Sequence, residues 1–250
     1  MTSNTQRNAA ATSAVAFAFF LALAGCGTAA KLDTHAEFRS GVAEFRARHY
    51  SAAYERFDRI VRADPSNLNA RYNRGLAAFE LRRFSSAESD FKSVVAKQPR
   101  FIDAHFNLGS TQLRERKWTQ AAATLSEVLR ERPRFLKAHF DLGIADFHTG
   151  RFQQASNEFS SVTVTAPQYA KAWFNLGTTS YRTRNFNGAA TALHQAINLR
   201  PSYAKAHYVL GRTYLALDNK PAARAEFVLT AKYDTGILKR AAAALLPETR

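Results

Sequence analysis

From residue 34 onward, small and apolar positions return at a fixed spacing. Prolines stand at Pro65, Pro99, Pro133, Pro167 and Pro201, each 34 residues after the last. Glycines at Gly41, Gly75, Gly109, Gly143, Gly177 and Gly211 keep the same period, as do Ala53, Ala87, Ala121, Ala155, Ala189 and Ala223. We number each repeat so that its glycine is position 8; repeats then begin at 34, 68, 102, 136, 170 and 204. Positions 4, 7, 8 and 11 fall on one side of a helix at 100° per residue. In the fifth repeat these are Trp173, Leu176, Gly177 and Ser180. Position 24 is large and apolar throughout: Phe57, Phe91, Leu125, Phe159, Leu193 and Phe227. The pattern predicts two helices per repeat, A and B, brought close by glycine 8 and alanine 20 and plugged by residue 24. Proline at position 32 ends helix B, because it lacks an N–H and constrains the residue before it. One such pair cannot bury its apolar face alone, so the pairs must stack.

This spacing, with Trp173-Phe174-Asn175-Leu176-Gly177, the alanine, the position-24 plug and the proline, resembles the tetratricopeptide repeat. The resemblance covers about residues 34–235. It implies an all-α, right-handed superhelical solenoid of six repeats that binds other proteins. The sixth repeat departs from the pattern: Thr235 replaces the proline, and Lys220-Pro221 is expected between its helices. Residues 236–250 are expected to form a capping helix over Ile237–Leu246 and a tail, with Lys239 and Arg240 toward solvent.

The first residues break the pattern altogether. Arg7 is the only charged side chain in residues 1–12, and Ser13–Gly25 carries no charge. That apolar run is shorter than the ~20 residues that span a bilayer, and fits the hydrophobic region of a secretory signal. The only cysteine of the chain follows, in Leu23-Ala24-Gly25-Cys26, which resembles a bacterial lipobox. The resemblance implies cleavage after residue 25 and lipidation of Cys26; Gly27, in place of aspartate, implies the outer membrane. The expected organisation is a lipoprotein signal peptide at 1–25, an anchor and short tether at 26–33, and repeats at 34–235. A single cysteine permits neither an intramolecular disulfide nor a cysteine-based zinc site.

Composition is that of a folded chain, 46% hydrophobic and 22% charged, which excludes a disordered or collagenous one. Net charge is +15, pointing to an anionic partner. In a tetratricopeptide solenoid, positions 2, 5, 9, 12 and 13 of helix A line the concave groove. Position 5 is aromatic in all six repeats: Phe38, Tyr72, Phe106, Phe140, Phe174 and Tyr208. Position 12 is Phe45, Phe79, Leu113, Phe147, Tyr181 and Leu215. Such rings either pack against neighbouring repeats or offer a face to a ligand. Position 2 places Lys137, Lys171 and Lys205 beside them in the C-terminal half. That suits a peptide with apolar anchors and acidic groups. Asn73, Asn107 and Asn175 at position 6 are candidates to hold a ligand backbone through their amides. The arrangement departs from the carboxylate clamp of some tetratricopeptide domains: position 5 is aromatic, position 9 has no asparagine, and Asp141 stands where the clamp has arginine.

A second basic surface is expected where the A–B turns line up as a ridge, including Arg82, Arg83, Arg114, Arg116, Arg182 and Arg184. It is either a solvated edge or a contact for anionic headgroups, peptidoglycan carboxylates or an acidic protein. His105, His139 and His207 share position 4 of separate repeats. Equivalent positions lie at least ~8–10 Å apart, too far to converge on one metal ion. No metalloprotease, hydrolase or phosphate-loop motif occurs. No enzyme activity, cofactor or metal is therefore expected. The resulting expectation is a lipid-anchored scaffold on the periplasm-facing side of the bacterial outer membrane, assisting assembly of a pilus or secretion complex. In architecture it resembles type IV pilus pilotins and Flp pilus assembly lipoproteins. The alternatives are an adaptor for peptidoglycan hydrolases or synthases and, more distantly, a single-stranded nucleic-acid binder.

Overall fold

A computed structural model describes residues 33–249; the expected signal peptide, Cys26 and the tether up to residue 32 lie outside the described residues. Asp33–Arg250 is a compact unit by itself. It contains α1 (Thr34–Arg46), α2 (Tyr50–Ala63), α3 (Leu68–Glu80), α4 (Phe84–Lys97), α5 (Ile102–Arg114), α6 (Trp118–Glu131) and α7 (Leu136–His148). There follow α8 (Phe152–Thr165), α9 (Ala170–Arg182), α10 (Phe186–Leu199), α11 (Ala204–Ala216), α12 (Lys220–Tyr233), α13 (Ile237–Leu245) and a 3₁₀ turn, Leu246–Thr249. Odd-numbered helices from α1 to α11 are the A helices; each packs against the B helix that follows it and, from α3 onward, against the one before it. The solenoid of six helix pairs closed by a C-terminal helix is the fold expected from the repeat.

The glycine–plug pairing sets the spacing within each pair. A Cβ on Gly109 would lie 2.7 Å from Cγ of Leu125, and one on Gly211 2.6 Å from Cε1 of Phe227. Every position-8 glycine faces its own position-24 plug in this way. All six plugs are 0–1% exposed, so they form the axis of the core.

Position 4 fastens each repeat to the turn before it. The rings of His105, His139, Trp173 and His207 each hydrogen-bond to the carbonyl of the preceding repeat's proline, at 2.8–3.0 Å. Arg71 donates to the Pro65 carbonyl at 2.9 Å. Histidine and tryptophan interchange at this position because each presents a ring N–H in the same place. The second ring nitrogen of His139 meets Glu158, and that of His207 meets Glu226. The histidines thus act in packing, one per repeat.

The starts of the A helices divide into two kinds. Asp33 and Asn67 accept from the Ala36 and Ala70 amides, both at 2.9 Å. Phe101, Phe135, Tyr169 and Tyr203 hold the same position without a cap bond. Each instead lies against the preceding repeat's position-5 ring, with centroids 4.7–5.0 Å apart. A cap is worth ~1 kcal/mol and an aromatic pair ~0.5–1.5 kcal/mol, so the exchange is close to even.

The A helices end with one residue in the left-handed region: Arg48, Arg82, Arg116, Gly150, Arg184 and Asp218, with φ from 56° to 80°. In the first repeat the Arg48 amide bonds the Phe45 carbonyl and the His49 amide the Glu44 carbonyl, closing the helix end. Glycine takes this conformation freely, whereas another L-residue is strained by ~1–2 kcal/mol.

Two features differ from the sequence pattern. Position 7, leucine in repeats 3 to 6, is Arg74 in the second repeat. It pairs with the buried Asp90 through Nε at 2.9 Å and Nη2 at 2.6 Å, and with Asp58 at 2.7 Å. This polar clasp joins α2, α3 and α4. Lys220-Pro221 does not lie between helices as expected; it opens α12, with Asn219 accepting from the Ala222 amide at 3.2 Å. Proline fits there because first-turn amides have no partner in the helix. Beyond it, Ala242, Leu245 and Leu246 pack on Ala223 and Phe227. Lys239 and Arg240 are exposed, and so is Ile237, at 74%. Among the described residues no helix is long and apolar enough to cross a membrane.

Candidate functional site

Each A helix also touches the next A helix. Side chains that cross this seam locate the groove. Ser110, at position 9 of α5, donates to Asp141, at position 6 of α7, at 2.6 Å. Asn107 of α5 donates its amide to the Tyr72 hydroxyl of α3 at 2.8 Å. Burial raises the Asp141 carboxyl pKa, although Ser110, Arg114 and Lys137 all favour its charge. Burial, then Asp103, raises that of the Tyr72 phenol.

The six position-5 rings are half-buried. Phe38, Tyr72, Phe140 and Tyr208 lean on the plugs of their own repeats with centroids 5.5–6.2 Å apart. Tyr72, Phe106, Phe140 and Phe174 also meet the ring that opens the next A helix. Packing therefore takes up part of every ring in this row. The position-12 rings Phe45, Phe79, Phe147 and Tyr181 close against Tyr50, Phe84, Phe152 and Phe186 at the starts of their B helices.

The position-6 asparagines do not share one fate. The Asn73 amide donates to the Asn69 carbonyl of its own helix, and the Asn107 amide is taken by Tyr72. For these two, a ligand would have to displace an existing bond. The Asn175 side chain has no hydrogen-bond partner among the described residues and lines a cavity of about 280 Å³. Ile144, Phe147, His148, Phe159, Phe174 and Thr178 complete its wall. His148 is set there by stacking on Trp118, centroids 4.1 Å apart and planes 11° from parallel. Burial, then Arg116, holds its pKa below the ordinary histidine value. Lys171 and Lys205 are exposed and make no ion pair among the described residues, while Lys137 acts on Asp141.

The expected ridge residues separate as well. Arg83 lies over the Tyr54 ring at 5.1 Å, and Arg182 over Phe147 and Phe152 at 5.6 and 4.6 Å. Arg114 acts on Asp141 in the groove. Arg82, Arg116 and Arg184 are exposed and, among the described residues, unpaired; all three are left-handed helix-end residues. Sequence reasoning missed two rows. One is Phe101, Phe135, Tyr169 and Tyr203, which the 34-residue period displays directly. The other is the left-handed conformation shared by the arginines, where sequence shows arginine at a place that favours glycine.

A family model described as "Tetratricopeptide repeat" matches residues 38–100, 77–134 and 174–236, and a second of the same description matches 112–177. No curated protein matches the chain. Among solved structures, similarity extends to YrrB, titled a TPR protein with an unusual peptide-binding site. Identity is 21%, over 70% of this chain and 90% of that one, with TM-score 0.64. MamA from Desulfovibrio magneticus RS-1 is 19% identical over 70% of this chain and 99% of its own, TM-score 0.64. The APC/C hetero-tetramer Cut9–Hcn1 matches 86% of this chain and 42% of its own at 17% identity, TM-score 0.65.

Proposed function

The chain belongs to the tetratricopeptide-repeat family, whose fold is a protein-interaction scaffold, and from this premise we propose that its A-helix groove holds a segment of another protein. The observation that carries the reading is the cavity beside Asn175. It is walled mainly by apolar side chains, sized for one anchor residue, and bordered by an amide with no partner among the described residues. An asparagine amide both donates and accepts, so it matches a peptide bond. Lys171 stands exposed on the helix that carries Asn175, and Lys205 on the next A helix, α11; both favour acidic groups beside the anchor. The solved relative titled as a TPR protein with a peptide-binding site supports a peptide as the ligand class. The scaffold we propose is tethered to the bacterial outer membrane through Cys26, facing the periplasm, and assists assembly of a pilus or secretion complex. The signal-like N-terminus, the lipobox resemblance and the repeat architecture support that setting.

The test is site-specific photocrosslinking from Thr178 in native envelopes, followed by identification of the captured protein. Phe174→Ala and Asn175→Ala should each weaken binding of that protein by ~1–3 kcal/mol, because a few buried contacts dominate such interfaces. Lys171→Glu with Lys205→Glu should slow association most at low salt, since steering is screened. Unchanged affinity in all of these variants would remove the groove from the mechanism. Cys26→Ser tests the anchor separately and should release the chain from the membrane fraction.

A further inference from the structure

Four of the six helix-A ends place arginine, at Arg48, Arg82, Arg116 and Arg184, where the backbone has φ of 60–63°. Gly150 occupies the same place in the fourth repeat, so glycine serves the turn and relieves the strain. No helix-end hydrogen bond requires a side chain there. All four arginines are exposed, and none has an ion pair, side-chain hydrogen bond or ring contact among the described residues. Strain carried four times with no attractive contact in return among the described residues points outward, to a ligand.

The surrounding edge sets the ligand's chemistry. Positions 13–17 of the first five repeats carry ten Lys/Arg against two Asp/Glu, a net +8 within a chain of +15. One acid, Glu115, already holds Lys117 at 2.9 Å. The row runs along successive turns, ~10 Å or more apart by helix packing, and none of the four arginines lines a described cavity. A row of separated guanidinium forks suits an extended anionic surface rather than one small ligand. A single-stranded nucleic acid would also need open rings for its bases. The rings flanking the row are already used. Tyr50, Phe84, Phe152 and Phe186 are packed edge-on or tilted against position 12, and Trp118 is stacked on His148.

We propose that the left-handed arginines Arg48, Arg82, Arg116 and Arg184 dock the solenoid, turn edge down, on the phosphates of an anionic phospholipid surface. This contact is independent of Cys26 and of the groove. A basic patch of this kind adds a second attachment to an anionic leaflet and weakens with salt.

The compact unit 33–250, which lacks the N-terminal segment, is mixed with vesicles of phosphatidylcholine containing 30% phosphatidylglycerol, or of phosphatidylcholine alone, and sedimented. We expect binding to the anionic vesicles only, lost by 0.5 M salt. The quadruple variant Arg48→Gly, Arg82→Gly, Arg116→Gly, Arg184→Gly should bind about tenfold or more weakly. It should nonetheless unfold at a midpoint no lower than wild type. A control variant with the same charge change, Lys97→Gln, Arg134→Gln, Arg224→Gln and Lys239→Gln, should keep most of the binding. The proposal is overturned if the unit ignores anionic vesicles or if the glycine and control variants lose binding equally. Tighter binding to a single-stranded oligonucleotide than to the vesicles would also overturn it. A glycine variant that merely unfolds would overturn the view that the arginines are dispensable to the fold.

Discussion

His207 shows how one side chain ties chemistry to the stack. It is 3% exposed, with both ring nitrogens facing acceptors: the Pro201 carbonyl at 2.8 Å and Glu226 at 2.6 Å. A neutral imidazole satisfies only one of these, so the site favours the doubly protonated ring. Burial opposes the charge, but Glu226 and the Pro201 carbonyl outweigh it, and the pKa lies above the ordinary value. A raised folded pKa contributes stability that is full below the unfolded pKa, ~6.5, and fades as pH rises through the folded one. His207→Ala should therefore cost ~1–3 kcal/mol at pH 5, where a charged hydrogen-bonded partner is lost. Urea midpoints of the two proteins should converge between pH 5 and 8.5; a constant gap would assign the histidine to packing alone. The proline-carbonyl contact itself was not legible from sequence, since its partners are six residues apart and meet only across a turn.

The helix pair is the element of this fold, and its register rests on glycine meeting plug. Gly109→Leu places a branched side chain where Leu125 already sits 2.7 Å from the first added carbon. Overpacking of this kind costs ~1–3 kcal/mol or more. Gln153→Leu, on the exposed side of α8, should stay within ~0.5 kcal/mol of wild type. Equal denaturation midpoints for the two would contradict the register. That register was readable from the 34-residue period because both partners lie in one repeat at a constant separation. The Arg74 clasp was not, since a charge at a leucine position has no meaning until Asp58 and Asp90 are brought to it from two other helices.

At the scale of the whole solenoid, each repeat covers the one before it, and the last needs a different cover. Phe227 is 0% exposed because α13 and the turn after it lie against it. Removing residues 237–250 should uncover that face, at a cost of ~1.5–3 kcal/mol for the phenylalanine alone. It should also promote self-association, as uncapped repeat arrays do. A truncated chain that stays monomeric with the wild-type midpoint would show that α13 is not a cap. The candidate site divides in the same way as the fold. Helix pairs, plugs and the aromatic row were legible because a local period reports which residues share a face, and every repeat restates it. What that face does depends on contacts between repeats. Only the stacked structure showed that the Asn107 amide is already taken by Tyr72 of the preceding repeat, while the Asn175 side chain has no partner among the described residues. It alone separated Arg83 and Arg182, laid over rings, from the left-handed Arg82, Arg116 and Arg184, which sequence shows as equal charges on one edge. Periodicity determines the orientation of a side chain on its own helix; whether that side chain is free to meet a ligand is decided by what the neighbouring repeat places beside it.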